Sequence, residues 1–422
     1  MTNLLNSKRF LPLFITQFFG AFNDNAFKNA LLIWLTYDVA VRNGQNPQII
    51  VSIAAGLFIL PFFLFSAIAG NLADYYEKSR LIQKIKQIEI ILMLLCFLGF
   101  YLENIYILLV ILFAMGAQSS FFGPLKYSLL PIHLKKNELI LGNGIIEAGT
   151  FISILLGTIF GGIIIRTDNG TGIICIMLVF FAIIGYLSSC FIPITQPKRQ
   201  NNNKIKLNII TQTIKIINHA KADKKVFSAI ISISWFWMIG MVFLTQFPIY
   251  TKDIINGDEK IVTLFLSIFS IGIAIGSILC NKVLKGKITE KLIPYGLYGI
   301  SLSIIVLFLL GLKLQEINNI DQLININQFL FQNNNYGIYI SFSLLSLAVF
   351  AGIYIVPLYA IIQHYAKEEF LSRIIAANNI INALFMVLAT ILVITLFQLN
   401  LNINEIFLFI AILNILKIFL RN

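Results

Sequence analysis

The sequence predicts an all-α membrane protein of twelve transmembrane helices in two parallel six-helix repeats. Three observations predict it: apolar stretches of spanning length recur from end to end, basic residues alternate between loops, and the first half of the chain repeats in the second. Of the 422 residues, 58% are hydrophobic and only 12% charged, against about 25% charged in ordinary soluble usage. Mean hydropathy is +0.86. Each apolar run is close to the roughly 20 residues a helix needs to cross a bilayer. The runs are continuous and do not alternate with polar residues, which argues against transmembrane strands.

The first span, at about 10–37, carries Asn23-Asp24-Asn25 and Lys28 in its middle and is followed by no small-residue cleavage site. It reads as a permanent helix rather than a removable leader. The next five are expected at about 48–70, 83–102, 104–125, 139–165 and 172–194. A basic, Asn/Lys-rich linker follows at 195–225. The remaining spans are expected at about 226–250, 261–281, 291–311, 336–362, 372–397 and 403–421. The domains are therefore an N-terminal half (1–194), the linker (195–225) and a C-terminal half (226–422).

This placement explains the net charge of +12 without nucleic acid. One set of loops holds 25 basic residues: Lys8 and Arg9; Lys78, Arg80, Lys84 and Lys86; Lys126, Lys135 and Lys136; eight between Lys198 and Lys225; Lys282, Lys285, Lys287 and Lys291; Lys367 and Arg373; Lys417 and Arg421. The opposite set holds five, Arg42, Arg166, Lys252, Lys260 and Lys313, while Lys28 lies within a helix. The positive-inside rule then puts both termini and the linker in the cytoplasm, with anionic lipid headgroups as the natural contact.

The repeat is visible as Gly142-Asn143-Gly144-Ile145-Ile146-Glu147-Ala148 in the fifth span against Ala377-Asn378-Asn379-Ile380-Ile381-Asn382-Ala383 in the eleventh. Pro124-Leu125-Lys126-Tyr127 ends the fourth span as Pro357-Leu358-Tyr359 ends the tenth, and Gly70 after the second is echoed weakly by Gly276 in the eighth. Such parallel duplication places a substrate site between halves near the midplane. Ser153, Gly157 and Gly161, and Gly272 and Gly276, are spaced by four, so helix backbones can approach closely there. The expected meeting place is the seam of the second, fifth, eighth and eleventh spans.

Ionised residues inside the membrane cost roughly 2.5–3.5 kcal/mol each on insertion scales, which makes each one a functional candidate. Asp24 and Lys28 share a helix face and are able to pair. With Asn23 they form either a polar cavity wall that takes a headgroup or gates access, or an internal pair that fixes packing. Glu147 lies within a turn of Asn143 and Thr150, and its repeat mate is Asn382. The duplication thus does not demand a carboxylate, and headgroup binding, a gating ion pair or a proton site all fit. Asn378, Asn379 and Asn382 offer donors and acceptors for substrate or for neighbouring helices. Glu89, near the end of the third span, is expected to pair with Lys84 or Lys86 as a structural element. Trp235 and Trp237 sit inside the seventh span, where they line an apolar part of the cavity or simply pack.

Enzyme signatures are missing. An acyltransferase needs His and Asp separated by four residues, so that the carboxylate orients the imidazole base. His133 and His364 are followed at that spacing by Glu138 and Glu369, and His219 has Asp223 one residue too close. No GxxxxGK loop is present. The four cysteines, Cys96, Cys175, Cys190 and Cys280, are scattered through apolar runs, and imply neither disulfides nor a metal site. No cofactor is expected.

The segment Gly70-Asn71-Leu72-Ala73-Asp74 with Lys78-Ser79-Arg80 resembles the loop between the second and third helices of the major facilitator superfamily, although Glu77 stands where many members have glycine. The resemblance implies the major facilitator fold, with Gly70, Asp74, Lys78 and Arg80 as a conformational latch. Asp74 would then sit at the start of the eleventh helix, where the helix dipole favours a negative charge. More narrowly, several stretches resemble bacterial lysophospholipid transporters, above all the form fused to 2-acylglycerophosphoethanolamine acyltransferase and acyl-carrier-protein synthetase. They are Gln17–Asn25, Phe122–Pro131, Glu147–Phe151, Ser234–Trp237 and Ile375–Asn379. This likeness implies transport of lysophospholipids, such as lysophosphatidylethanolamine, across a bacterial inner membrane for reacylation. The implied headgroup or gating contacts are Asn23, Asp24, Lys28, Lys126, Asn143, Glu147, Trp235, Asn378, Asn379 and Asn382. Because the chain ends after the twelfth span, substrate would pass to separate enzymes, and a monomer is expected. Two rivals stay open: a proton-coupled transporter of a small or drug-like solute, and a membrane anchor that recruits an acyltransferase through its basic linker.

Overall fold

The computed structural model describes residues 2–36, 47–195, 208–317, 323–331 and 335–420. Twelve long helices stand among the described residues, and each falls on one expected span. They are α1 (Leu11–Trp34), α2 (Pro47–Tyr75), α3 (Lys78–Tyr101), α4 (Ile105–His133), α5 (Leu139–Ile165) and α6 (Gly170–Ser189). After the linker come α7 (Lys224–Tyr250), α8 (Glu259–Leu284), α9 (Leu292–Ile317), α10 (Tyr336–Tyr365), α11 (Leu371–Gln398) and α12 (Ile403–Leu420). Nine described helices are long and apolar enough to cross a membrane on length and composition alone. α3 is not among them, because Lys78, Arg80, Lys84, Lys86 and Glu89 crowd its N-terminal half. Arg42, Lys198, Arg199, Lys204, Lys206 and Arg421, all part of the charge pattern, lie outside the described residues.

Local chemistry explains the boundaries. Glu77 caps α3 by accepting from Ser79 N at 2.9 Å and Arg80 N at 2.7 Å. Asn104 caps α4 through Ile107 N, and Asp258 caps α8 through Lys260 N, each at 3.1 Å. These side chains occupy backbone donors that a helix start leaves unpaired. Pro61, Pro124, Pro131, Pro248 and Pro357 lie inside helices, as spanning helices tolerate where neighbours re-satisfy the freed carbonyls.

The chain groups into two compact units. Unit 1 comprises Met1–Gly142, Ile152–Ile230 and Ile361–Ala383; unit 2 comprises Asn143–Phe151, Ile231–Ala360 and Leu384–Asn422. This grouping does not follow the 1–194, 195–225 and 226–422 division, since the start of α11 packs within unit 1 and a stretch of α5 within unit 2. Part of the expected linker is also helical. Ile209–Lys221 forms a helix capped by Asn208, whose side chain accepts from Thr211 N at 3.0 Å.

The small-residue ladders correct the expectation of a seam. In unit 1, a Cβ on Gly157 would lie 2.5 Å from Phe22 O, and one on Gly161 would collide with Ala26 O. They join α5 to α1. In unit 2, Gly276 lets α8 press against Val349 of α10. The seam helices instead meet at single glycines. A Cβ on Gly70 would sit 2.9 Å from Arg373 Cα, bringing α2 to α11 in unit 1, and one on Gly144 would sit 2.5 Å from Ser277 O, bringing α5 to α8 in unit 2. Side-chain size alone sets these separations, because nothing larger than hydrogen fits.

Candidate functional site

Within unit 1, α1 turns two polar surfaces toward its neighbours. Asn23 is fully buried and donates to Glu89 Oε1 of α3 and to Leu178 O of α6, both at 3.1 Å. Glu89 also takes Lys86 Nζ at 2.5 Å and Gln118 Nε2 of α4 at 3.0 Å. Lys86 and Glu89 are each only 1% exposed, and the ammonium stands 4.9 Å over the Phe122 ring. Lys86 reaches this position because Gly20 of α1 has no side chain to block its Nζ. One expectation is corrected here: Lys86 is a core residue rather than a loop base. Asn23 donates into this packing network, while its own Oδ1 is buried with no hydrogen-bond partner among the described residues.

One residue further along α1, Asp24 faces α4 and accepts a hydrogen bond from the Ser119 hydroxyl. Its Oδ1 is buried and has no hydrogen-bond partner among the described residues. Lys28 does not close on it: the ammonium donates to Asn25 Oδ1 at 3.1 Å and lies 5.4 Å from the centre of the Phe58 ring of α2. The two side chains are partly buried and share one helix face without a direct ion pair among the described residues. Lys126, also partly buried, lies on α4 with its ammonium 4.5 Å from the Tyr127 ring centre.

The start of α11 completes unit 1. Asp74 accepts from Ser372 N at 3.1 Å, Arg373 N at 3.4 Å and Arg373 Nε at 2.9 Å. It therefore sits at the N-terminus of α11, where unpaired backbone donors and the dipole favour it. Lys78 lies 3.8 Å from Asp74 Oδ1 and donates to Ser372 Oγ at 2.7 Å. Arg80 is exposed and takes part through its backbone N–H to Glu77; the guanidinium on Asp74 belongs to Arg373, which loop counting had treated as a topological charge. Further along α11, Asn378 is fully buried, and neither amide atom has a partner among the described residues. Asn379 fills the space beside Gly123 of α4, and Asn382 is buried.

Unit 2 holds Asn143 and Glu147, both fully buried on α5. One turn beyond Glu147, Phe151 stacks on Trp237 with ring centres 6.0 Å apart and planes at 17°. The Trp237 Nε1 is buried with no partner among the described residues. Trp235 points elsewhere. Its Nε1 donates to Asn414 Oδ1 of α12 at 2.8 Å, and Asn414 in turn donates to Leu297 O and Ser301 Oγ of α9, each at 2.9 Å. Of the two tryptophans, Trp237 is the one beside the Glu147 stretch, and Trp235 is a packing residue. Their spacing of two puts them on different faces, but spacing alone does not say which face looks toward α5.

A family model for the Major Facilitator Superfamily matches residues 13–390. The chain belongs to the major facilitator superfamily. It is thus a multi-pass membrane protein with the twelve-helix major facilitator fold, and the family and its named relatives are transporters. Among solved structures it is similar to the human organic anion transporter MFSD10 (TETRAN), with a TM-score of 0.72 at 11% identity over 97% of this chain and 99% of that one. It is similar to the transporter FucP in the outward conformation, also at 0.72, with 10% identity over 98% of each chain. Identities this low speak for fold alone. Among relatives, it is 24% identical over 359 residues to the lysophospholipid transporter LplT of Photorhabdus laumondii, covering 84% of this chain and 79% of that protein. The LplT of Yersinia enterocolitica is 22% identical over 306 residues, 72% of each chain.

Proposed function

We propose that this major facilitator protein moves lysophospholipids, such as lysophosphatidylethanolamine, across the bacterial inner membrane for reacylation. The observation that carries the reading is the orphaned, buried Asp24 Oδ1 on the same face of α1 as the Lys28 ammonium, in a family whose relatives along most of the chain are lysophospholipid transporters. A carboxylate and an ammonium that do not neutralise each other suit a zwitterionic headgroup, whose amine and phosphate would each find an opposite charge. Desolvating the two side chains costs several kcal/mol between them, and ligand pairing offsets that cost in the occupied state. The acyl tail stays among lipid chains, so the protein need house only the head. Lys126, Asn143, Glu147, Asn378, Asn379 and Asn382 are further contacts or gating groups on this reading, and Trp237 replaces Trp235. The termini are cytoplasmic, the carrier works as a monomer, and separate acyltransferase and synthetase enzymes receive the product. The Asp74–Lys78–Arg373 cluster acts as the latch.

The test is uptake of labelled lysophosphatidylethanolamine by spheroplasts, with and without protonophore. Uptake should persist with protonophore and fall at least tenfold in Asp24→Asn and Lys28→Met at normal expression. Near-normal lipid flux in both variants would remove them from the site; absence of lipid flux beside a pH-driven solute flux would replace the reading with a proton-coupled solute carrier.

A further inference from the structure

The helix Ile209–Lys221 has two unlike sides. On the inner side Gln212, Ile216 and Ala220 are buried, Gln212 Oε1 accepts from Asn71 Nδ2 of α2 at 3.1 Å, and the His219 ring lies 5.0 Å from that of Phe370. On the outer side Ile210 and Ile214, one turn apart, are 72% and 55% exposed. Lys215 and Lys221 flank that ridge and are exposed, and Lys224 and Lys225 follow at the start of α7. The helix has no acidic residue. The carboxylate nearest in sequence, Asp223, is engaged with the backbone N–H groups of Lys225 and Val226 at 2.9 and 3.1 Å, and the exposed Glu368 and Glu369 lie beside Phe370 on the His219 side. An apolar ridge beside lysines is unfavourable in water and favourable at a bilayer surface, where the ridge enters the acyl boundary and the ammoniums meet phosphates.

Position supports the same occupant. Asn71 lies one turn before the end of α2 at Tyr75, so the helix rests at the level where a spanning helix leaves the hydrocarbon. We infer that Ile209–Lys221 is an interfacial helix that binds the anionic phospholipid surface of the leaflet at the Asp74 end of the bundle, and that this binding steadies the Asp74 latch. Two routes join them. Asn71, held by Gln212, is three residues from Asp74 on α2. Phe370, which packs on His219, carries the Arg373 guanidinium 4.2 Å above its ring, and Arg373 Nε donates to Asp74 at 2.9 Å. Lipid composition would thus act on the conformational balance of the carrier without occupying its central site.

The experiment uses the full chain in phosphatidylcholine vesicles, with and without phosphatidylglycerol, and needs no lysolipid. A nitroxide is placed at Ile214→Cys with Cys190→Ser, since the other native thiols are buried. The label should be accessible to oxygen and shielded from an aqueous nickel chelate; accessibility like that of a free loop overturns the interfacial placement. In the otherwise unaltered chain, phosphatidylglycerol should slow amide exchange across 209–221 by at least roughly fivefold, the effect of about one lysine at a charged surface. Lys215→Glu with Lys221→Glu should erase that response while leaving exchange in α4 unchanged. Equal exchange in both vesicle types overturns the anionic preference. Slowing at 209–221 with no change at residues 372–374 overturns the coupling to the latch.

Discussion

The two halves solve one packing problem with different chemistry. In the first, α1, α3, α4 and α6 are tied by a charged network in which Lys86 and Glu89 anchor Asn23 and Gln118. In the second, the repeat-related helices α7, α9 and α12 are tied by the neutral chain from Trp235 through Asn414 to Ser301 and Leu297. A buried ion pair is not needed for stability, since its desolvation offsets most of its attraction. What the charged version adds is consequence: removing one member strands the other. It also lies beside the polar stretch of α1, where Asn23 is clamped to α3 and Asp24 faces Ser119. The neutral version binds three helices through uncharged groups alone, with the Lys417 ammonium 5.4 Å from the Trp235 ring centre as the charge beside it.

The largest effect should come from breaking the charged network on one side. Glu89→Leu leaves the Lys86 ammonium buried without its carboxylate and should cost about 3–5 kcal/mol, read as a lowered unfolding midpoint of the purified protein. Lys86→Met with Glu89→Leu should recover most of that loss. If the double variant is as unstable as the single, the pair is not the reason for the difference between halves.

Next come the glycine approaches. Gly144→Leu drives a side chain into Ser277 O and should destabilise by about 1–3 kcal/mol, and Gly70→Leu should do the same through Arg373 and Ala376. Comparable losses would show that the two approaches are equivalent despite their different neighbours.

A smaller loss is expected in the neutral network. Asn414→Leu removes both its acceptor and its donor groups and should cost about 1–3 kcal/mol by leaving Trp235 Nε1 without its acceptor, well below Glu89→Leu in the same assay. A loss as large as that of Glu89→Leu would remove the contrast.

The smallest effect concerns Glu77, which lies outside the spanning segments. Burial pushes its carboxyl up, but hydrogen bonds from the N–H groups of Thr195, Arg80 and Ser79 and from the Thr195 hydroxyl outweigh this and hold it below its ordinary value of 4.5. A depressed carboxyl contributes stability that is full above the ordinary value and is lost as pH falls through the lowered one. Midpoints measured downward from pH 5 should therefore fall more steeply in the natural chain than in Glu77→Gln.

Much of this was legible in the residues. Continuous apolar runs and loop charges determined twelve spans, because spanning a bilayer requires internal satisfaction of every backbone group, and runs that do not alternate with polar residues meet it as helices rather than as barrel strands. The repeat and the Gly70-to-Arg80 segment pointed to the family, and that resemblance implied Asp74 at the start of α11, where the helix dipole favours it. The partners of each polar side chain were not legible. Asn23 and Asp24 are neighbours in sequence, yet the Asn23 amide nitrogen turns to Glu89 and Leu178 while Asp24 turns to Ser119, and each keeps one buried oxygen without a partner among the described residues. Trp235, named among the contacts, is tied to Asn414 instead, and Lys86 leaves the loop tally for the core. Periodicity assigns a residue to a face of its own helix, but the helix facing it is set by tertiary packing. That choice turns on small residues such as Gly20 and Gly144, whose meaning appears only when the neighbouring backbone is in place.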